Sequence, residues 1–407
     1  MNEWRTMALG EIVDIFDHRR VPLSSRQRSS RQGPYPYYGA QGVIDHIDEY
    51  TFDGRFILVP EDGENLRSRK LPVAYFAEGK FWVNNHAHVI RARPNLAVDR
   101  FVQSAIEATN IDAWITGAAQ PKLSQANLRQ IPLKVPPLRE QLAIASILDA
   151  FDDLFENNRR RFEILEEMAR TVYHDWFVKF LYPGHDRAPL IDSALGPIPN
   201  DWSVTTIGNV CSRVQAGATP RRAEASFWAE PEFDWYKTGD LTDSVLVRSS
   251  EQISQIAFDG GRTFDPETIL LAIYGSPTVG RLGLLTSPSS ANQAALGLVA
   301  DPALVSTEFL WFTLCALRGH LNQIAQGAAQ QNVSKEKVCR STFVLPDRAT
   351  VEAFTRSAGQ LWRQANAIAR LSVSLSGLRD LLLPKLVTGQ IDVCKLDLAA
   401  VIEEAVA

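Results

Sequence analysis

Short β-type runs broken by Gly, Pro and Asn turns fill residues 1–137. Among them are Phe56-Ile57-Leu58-Val59, Val73-Ala74-Tyr75-Phe76, Phe81-Trp82-Val83 and His88-Val89-Ile90. Asp99–Glu107 and Ser124–Arg129 predict short helices, so this region reads as α+β, not as a regular βαβ repeat. The pattern then changes. From Leu138 to Phe180 there is neither Gly nor Pro, and Ile144, Leu148, Phe151, Phe155, Asn158, Phe162, Leu165, Ala169, Val172 and Trp176 follow one another in steps of three and four. That is a heptad seam, carried by a helix roughly 65 Å long at about 1.5 Å per residue. Asn158 is the polar member of the seam, fit either to set register or to sit partly exposed.

The chain then repeats itself. Residues 183–346 return to the α+β pattern, and Thr350–Leu383 predicts a second helix of roughly 50 Å. Val351, Phe354, Ala358, Leu361, Ala365 and Ile368 are in heptad phase, and Leu371, Leu375, Leu378 and Leu382 continue after a slip. Gly359 and Gly377 weaken this helix relative to the first. Phe52-Asp53-Gly54-Arg55-Phe56-Ile57-Leu58 recurs loosely as Phe264-Asp265-Pro266-Glu267-Thr268-Ile269-Leu270. Gly117-Ala118-Ala119-Gln120-Pro121-Lys122-Leu123-Ser124 recurs as Gly327-Ala328-Ala329-Gln330-Gln331-Asn332-Val333-Ser334, and Val135-Pro136 as Leu345-Pro346. The expected division is a globular domain over 1–137, a spacer helix over 138–182, a second globular domain over 183–346, a second spacer helix over 347–384 and a tail over 385–407 that packs near the first domain–helix junction. Two seams in one chain most simply satisfy each other as an intramolecular coiled coil. An antiparallel arrangement would set the globular domains at opposite ends, and periodicity alone leaves the direction open.

Composition narrows the class. A chain of 407 residues that is 45% hydrophobic can bury more than one core. Cys211, Cys315, Cys339 and Cys394 show no CxxC pair and read as reduced thiols of an intracellular protein. Met1-Asn2-Glu3-Trp4-Arg5 lacks the features of a signal peptide, and no apolar run approaches the ~18 residues that span a bilayer, so a soluble, cytoplasmic protein is expected. The net charge of −5 argues mildly against a nucleic-acid binder. Local charge argues the other way, because Arg19, Arg20, Arg26, Arg28 and Arg31 fall within 13 residues.

No GxxxxGK[ST] loop, GxGxxG fingerprint or Asn-Pro-Pro-aromatic segment occurs. His86 and His88, two apart on an expected strand, would share a face, but a third metal ligand is not in view and no metal is expected. Residue types suited to duplex DNA are present instead. The arginines lead into Tyr35, Tyr37, Tyr38 and Gln41, combining forks for phosphate or guanine with stacking faces. Arg67 and Arg69 add cations on a turn, Asn84, Asn85 and His86 supply amides and an imidazole, and Gln120 and Lys122 match Gln330 and Asn332 in the second copy. Thr219, Arg221, Arg222, Lys237, Tyr274, Ser276, Asn292 and Gln293 are the further candidates of the second domain.

Several segments resemble the DNA-specificity subunit of type I restriction–modification enzymes. They are Gly33–Ala40, Phe52-Asp53-Gly54, Glu61–Asn65, Trp82–His88, Gln120–Ser124, Pro136–Gln141, Gly217–Pro220 and Leu382–Leu386. Pro346-Asp347-Arg348-Ala349 departs from the Pro-x-x-Glu-Gln form of Pro137–Gln141. The resemblance implies an α+β chain of two similar target-recognition domains related by an internal pseudo-twofold repeat, with the long helices in an antiparallel coiled coil. Each domain would read one half of a bipartite, asymmetric site in double-stranded DNA, with the helices setting the gap. The seam would comprise Ile144, Leu148, Phe151, Phe155, Asn158, Phe162, Leu165, Val172, Leu361, Ile368, Leu375 and Leu382. Two modification subunits and restriction subunits would be partners, holding S-adenosylmethionine, ATP and Mg for adenine-N6 methylation and ATP-dependent cleavage. This chain would itself be non-catalytic. A coiled-coil adaptor without DNA binding and a single-chain DNA-modifying enzyme with unrecognised motifs are the rival readings.

Overall fold

The computed structural model describes residues 4–275, 278–325 and 332–393, and the chain divides into unit 1 (1–154 with 375–407) and unit 2 (155–374). In unit 1 the chain start, Arg5–Ala8, pairs antiparallel with Pro132–Val135, the strand that leads directly into the first long helix. Two four-stranded sheets follow. One runs Val13–Ile15, Ala87–Ala92, Phe56–Pro60, Tyr75–Ala77 in spatial order, and the other Gly42–Ile47, Gln32–Gly39, Lys80–Val83, Phe52–Asp53. Phe52, Phe56, Phe81 and Val83 are buried in a cluster of their own, whereas Ile57, Val59, Phe101 and Leu128 belong to the main core.

Unit 2 repeats this plan. Ser203–Thr206 pairs with Thr342–Leu345, and a five-stranded sheet (Cys211–Ala216, Ala295–Ala300, Ile269–Ala272, Leu282–Leu285, Ser244–Leu246) accompanies a four-stranded one (Glu251–Ile253, Phe233–Tyr236, Ser289–Ala291, Thr263–Phe264). Each unit also contains a parallel pairing at the same place: Tyr37 and Tyr38 against Trp82 and Val83, and Trp235 and Tyr236 against Ser290 and Ala291. The repeated Gly-Ala-Ala-Gln segments end in a serine for a local reason. Ser124 and Ser334 are N-caps whose hydroxyls accept the Asn127 and Lys337 amides, at 3.2 and 3.3 Å, and start the short helices Gln125–Gln130 and Lys335–Arg340.

The first long helix, α1, spans Leu138–Phe177, 40 residues, and ends before the expected boundary at 182. Thr307–Ile324 forms α2 in unit 2. The second expected long helix is two helices. Arg348–Arg356 (α3) stops at Ser357, whose amide is taken by the Ala353 and Phe354 carbonyls, and Ala358–Val387 (α4) begins anew just before Gly359. It also runs three residues past Pro384, since a proline near a helix end removes only one hydrogen bond. Residues 394–407 of the expected tail, with Cys394, lie outside the described residues.

Both units pack these helices. The core of unit 1 holds Ile144 and Leu148 from the start of α1 together with Leu386 and Val387 from the end of α4. The core of unit 2 holds Ala169, Tyr173 and Phe177 from the end of α1 with Ala358 and Trp362 from the start of α4. Start meets end in each, so the helices are antiparallel. Ile144, Leu148, Asn158, Ile368 and Leu375 are buried, and Phe151, Phe155, Phe162, Leu165, Val172, Leu361 and Leu382 half-buried. Asn158 is thus not partly exposed, and its amide nitrogen finds no hydrogen-bond acceptor among the described residues. Leu371 and Leu378 differ from expectation: both face outward, because the seven-residue phase of Leu361 and Ile368 continues without a slip through Leu375 and Leu382 and leaves them off the seam.

The two helix starts are tied down by different side chains, which explains the departure at Pro346–Ala349. In unit 1 the buried Gln141 donates to the Leu96 and Pro136 carbonyls and accepts the Val98 amide, while Trp4 donates to Glu140. In unit 2 Asp347 caps α3 through the Thr350 amide (3.0 Å) and accepts the Trp202 indole N–H (3.2 Å). Among the described residues no helix is long and apolar enough to cross a membrane.

Candidate nucleic-acid interface

One hydrogen-bonded junction is built twice. In unit 1 the Asn84 amide donates to the Tyr38 carbonyl (3.0 Å), and the Asn84 side chain accepts the His86 amide (2.8 Å). Glu61 N–H then donates to the His86 carbonyl (2.8 Å) and Leu123 N–H to the Glu61 carbonyl (2.7 Å). In unit 2 Asn292 donates to Tyr236 (2.9 Å) and its side chain accepts the Ala294 amide (3.1 Å). Ile273 donates to Ala294 (2.8 Å) and Val333 to Ile273 (2.9 Å). Bridges Asp62–Lys122 and Tyr274–Asn332 complete the match. At 84 and 292 the asparagine side-chain oxygen closes the turn by accepting the amide two residues on. The pairing of Asn84–Asn85 with Asn292–Gln293 is not visible as a sequence repeat, since only the first residue of each pair is shared.

At this junction unit 1 gathers Arg20, Gln41, Arg67, Asn84, Asn85, His86, Gln120 and Lys122. Arg20 donates to Glu61 (2.8 Å) and to the Ala87 carbonyl (3.0 Å), and Lys122 Nζ lies 3.4 Å from Glu61 with its side chain 55% exposed. His86 Nδ1 is 2.7 Å from Asp62, and Arg67 donates to the Gly117 and Ala118 carbonyls, bracing the loop that carries the exposed Gln120. An ideal Cβ on Gly63 would lie 3.6 Å from Gln41 Nε2, which puts that amide over the same turn. Gly117 (φ +82°) is confined to glycine, because a Cβ would meet the Gln120 carbonyl oxygen at 2.2 Å.

The remaining candidates of unit 1 sit elsewhere or are occupied. Arg28 donates to Asp45 (2.9 Å) and to the Leu23 carbonyl (2.8 Å) with its guanidinium 5.2 Å from the Tyr37 ring, and Arg31 lies over Trp82 and pairs with Asp48 and Glu49. Arg19 covers Phe52 and donates to the Thr51 carbonyl. Arg69 turns inward to the Glu107 and Thr109 carbonyls at the end of the helix Asp99–Ala108. Tyr37 is buried and accepts the Leu23 amide, Tyr35 packs on Tyr50, and Tyr38 packs between Tyr75 and Phe81. Arg26 is exposed and its guanidinium has no partner among the described residues.

Unit 2 is arranged similarly. Arg222 lies 3.9 Å from the Trp228 ring and 4.9 Å from Trp235, and Glu251 binds both Arg222 and Lys237. Hydrogen bonds from Arg222 and Lys237 hold the Glu251 carboxyl below its ordinary range. Thr219 donates to Gln293, whereas Arg221 is exposed with no side-chain partner among the described residues. Tyr274 and Asn332 are exposed beside the junction, and Ser276 and Gln330 lie outside the described residues. A shared support escaped the sequence reading. Trp82 donates its indole N–H to the Val21 carbonyl (2.7 Å) and Trp235 to that of Ala218 (3.0 Å), each with an arginine over its ring. His86 and His88 do not share a face: His86 lies in the turn and His88 points into the core.

A family profile described as the type I restriction modification DNA specificity domain matches residues 1–167 and 199–350. The chain belongs to this family. A putative type I restriction enzyme specificity subunit of Haemophilus influenzae, S.HindORF215P, is 38% identical over 153 residues, covering 37% of this chain and 38% of that protein. The MjaIX specificity subunit of Methanocaldococcus jannaschii is 25% identical over 284 residues, 68% of this chain and 64% of its own. The match therefore takes in less than two thirds of the length of either relative. The crystal structure of the type I restriction–modification S subunit from M. genitalium superposes with a TM-score of 0.62 at 16% identity, covering 94% of this chain and 96% of that one. That specificity subunit shares the fold.

Proposed function

We propose that this chain is the non-catalytic, sequence-reading subunit of a cytoplasmic type I restriction–modification complex, each unit contacting one half of a bipartite, asymmetric site in duplex DNA. The observation that carries the reading is the duplicated junction, which exposes Asn85, Gln120 and Lys122 in unit 1 and Tyr274, Gln293 and Asn332 in unit 2 next to a hydrogen-bonded turn. The antiparallel helices would set the gap between half-sites and dock two modification subunits, with restriction subunits joining them. S-adenosylmethionine, ATP and Mg would reside on those partners, which would carry out adenine-N6 methylation and ATP-dependent cleavage.

Because most of the candidate arginines are paired inside the protein, Arg26 and Arg221 are the ones whose side chains have no partner among the described residues and can meet phosphate. Each Arg→Ala change is expected to reduce the slope of log affinity against log salt by about 1, with little change in stability. Titration of the assembled complex with duplex DNA at several salt concentrations checks this. Slopes unchanged in both variants would remove the phosphate role, and no duplex binding at low salt would favour an adaptor without DNA.

A further inference from the structure

Unit 1 buries a charged network beneath its junction where unit 2 has an apolar pair. His88 is fully buried, with Nδ1 2.6 Å from the Asp17 carboxylate and Nε2 2.8 Å from the Leu123 carbonyl oxygen. A carbonyl oxygen can only accept. The Asp17 carboxylate also only accepts: its oxygens take the Val89 amide (3.0 Å) and the Gln125 amide (3.1 Å), and Arg20 stands 3.4 Å away. Both ring nitrogens must then donate, so the ring is an imidazolium; a neutral ring would set a lone pair against an oxygen on one side.

We propose that His88 is a charged positioning residue, which by gripping Asp17 and Leu123 fixes Arg20, Glu61 and Lys122 at the surface where unit 1 meets DNA. The inference rests on the reading of that junction as a DNA contact. Asp17 steadies Arg20, Arg20 reaches Glu61, and Leu123 follows Lys122 and donates its own amide to the Glu61 carbonyl. The charged groups around the ring are Asp17, Arg20, Glu61 and Lys122, with the Asp62–His86 pair beyond Glu61. Burial would raise the Asp17 carboxyl, but the His88 ring, the Val89 amide and Arg20 outweigh it and hold the group below its ordinary range.

Unit 2 supplies the control. Strand register sets His88 opposite Val59 and Leu296 opposite Leu271, and Leu296 faces Ala216 where His88 faces Asp17. The device therefore belongs to one half-site only.

The test has two arms. Histidine-selective nitrogen NMR of the full chain, with His88 assigned by its absence in H88L, is expected to show both ring nitrogens protonated at about pH 7; a ring with one bare nitrogen overturns the proposal. Binding by the assembled complex is then measured on duplexes in which one half of its selected site is scrambled. The D17A/H88L variant copies the Ala216–Leu296 pair of unit 2. It is expected to bind the unit 1 half-site about ten-fold more weakly and to leave the other half-site unchanged. Wild-type affinity for both half-sites overturns the role. Absence of duplex binding by the wild-type complex overturns the DNA reading and the role with it, whereas a neutral ring overturns the role alone.

Discussion

Replacing Phe354 with alanine should lower the stability of unit 2 by about 3–5 kcal/mol. Phe354 on α3 is fully buried, and its ring centroid lies 5.2 Å from Phe177, 5.8 Å from Tyr173, 6.3 Å from Trp176, 6.0 Å from Phe312 and 6.3 Å from Phe309. These rings come from α1, α2 and α3, so the side chain is where three helices close on one another. Truncation leaves a cavity that stiff aromatic neighbours cannot refill by changing rotamer. Calorimetry should show the transition of unit 2 lowered by roughly 10 °C and that of unit 1, which has its own core, unmoved. A loss below about 1 kcal/mol would mean that the cluster collapses around the gap and is not the joint described here.

Gly217→Ala should abolish recognition by unit 2 with a smaller loss of stability, about 2–4 kcal/mol. A Cβ at this position would lie 2.2 Å from the Ala291 carbonyl oxygen and 2.3 Å from that of Asn292, both main-chain atoms with no freedom to withdraw. The segment must lift, breaking the bonds from Gly217 to Ala295 (2.9 Å) and from Ala218 to Ala291 (2.8 Å). Thr219, Arg221 and Arg222 move with it. Affinity for one half-site is expected to fall at least ~100-fold, the scale of two lost main-chain bonds and a displaced contact, while the other half-site is read normally. Normal affinity for both would show that the loop 217–222 takes no part in reading DNA.

The long seam of α1 was legible because a forty-residue span without Gly or Pro leaves few alternatives to a helix, and the duplicated Gly-Ala-Ala-Gln segments were legible because a cap and a bridge must be rebuilt in each copy. Other features depend on partners distant in sequence. Arg28 and Arg31 read as free cations until Asp45, Asp48 and Glu49 arrive on and after the neighbouring strand Gly42–Ile47, and the same holds for Arg222 and Lys237 with Glu251. The break at Ser357 had no proline to announce it, and Leu371 and Leu378 face outward because the heptad phase runs unslipped from Leu361 to Leu382. The buried His88 is held by Asp17 and Leu123, far from it along the chain, and periodicity carries no trace of them.

Selection from random-sequence duplexes by the complex with modification subunits tests the central claim most directly, when run on the wild-type chain and on one lacking seven residues from the middle of both α1 and α4. Two short motifs at a constant separation are expected, with the separation reduced by about three base pairs in the shortened chain, since seven helical residues span about 10 Å and a base pair about 3.4 Å. A single uninterrupted motif, or a separation that does not move when the helices are shortened, would contradict it.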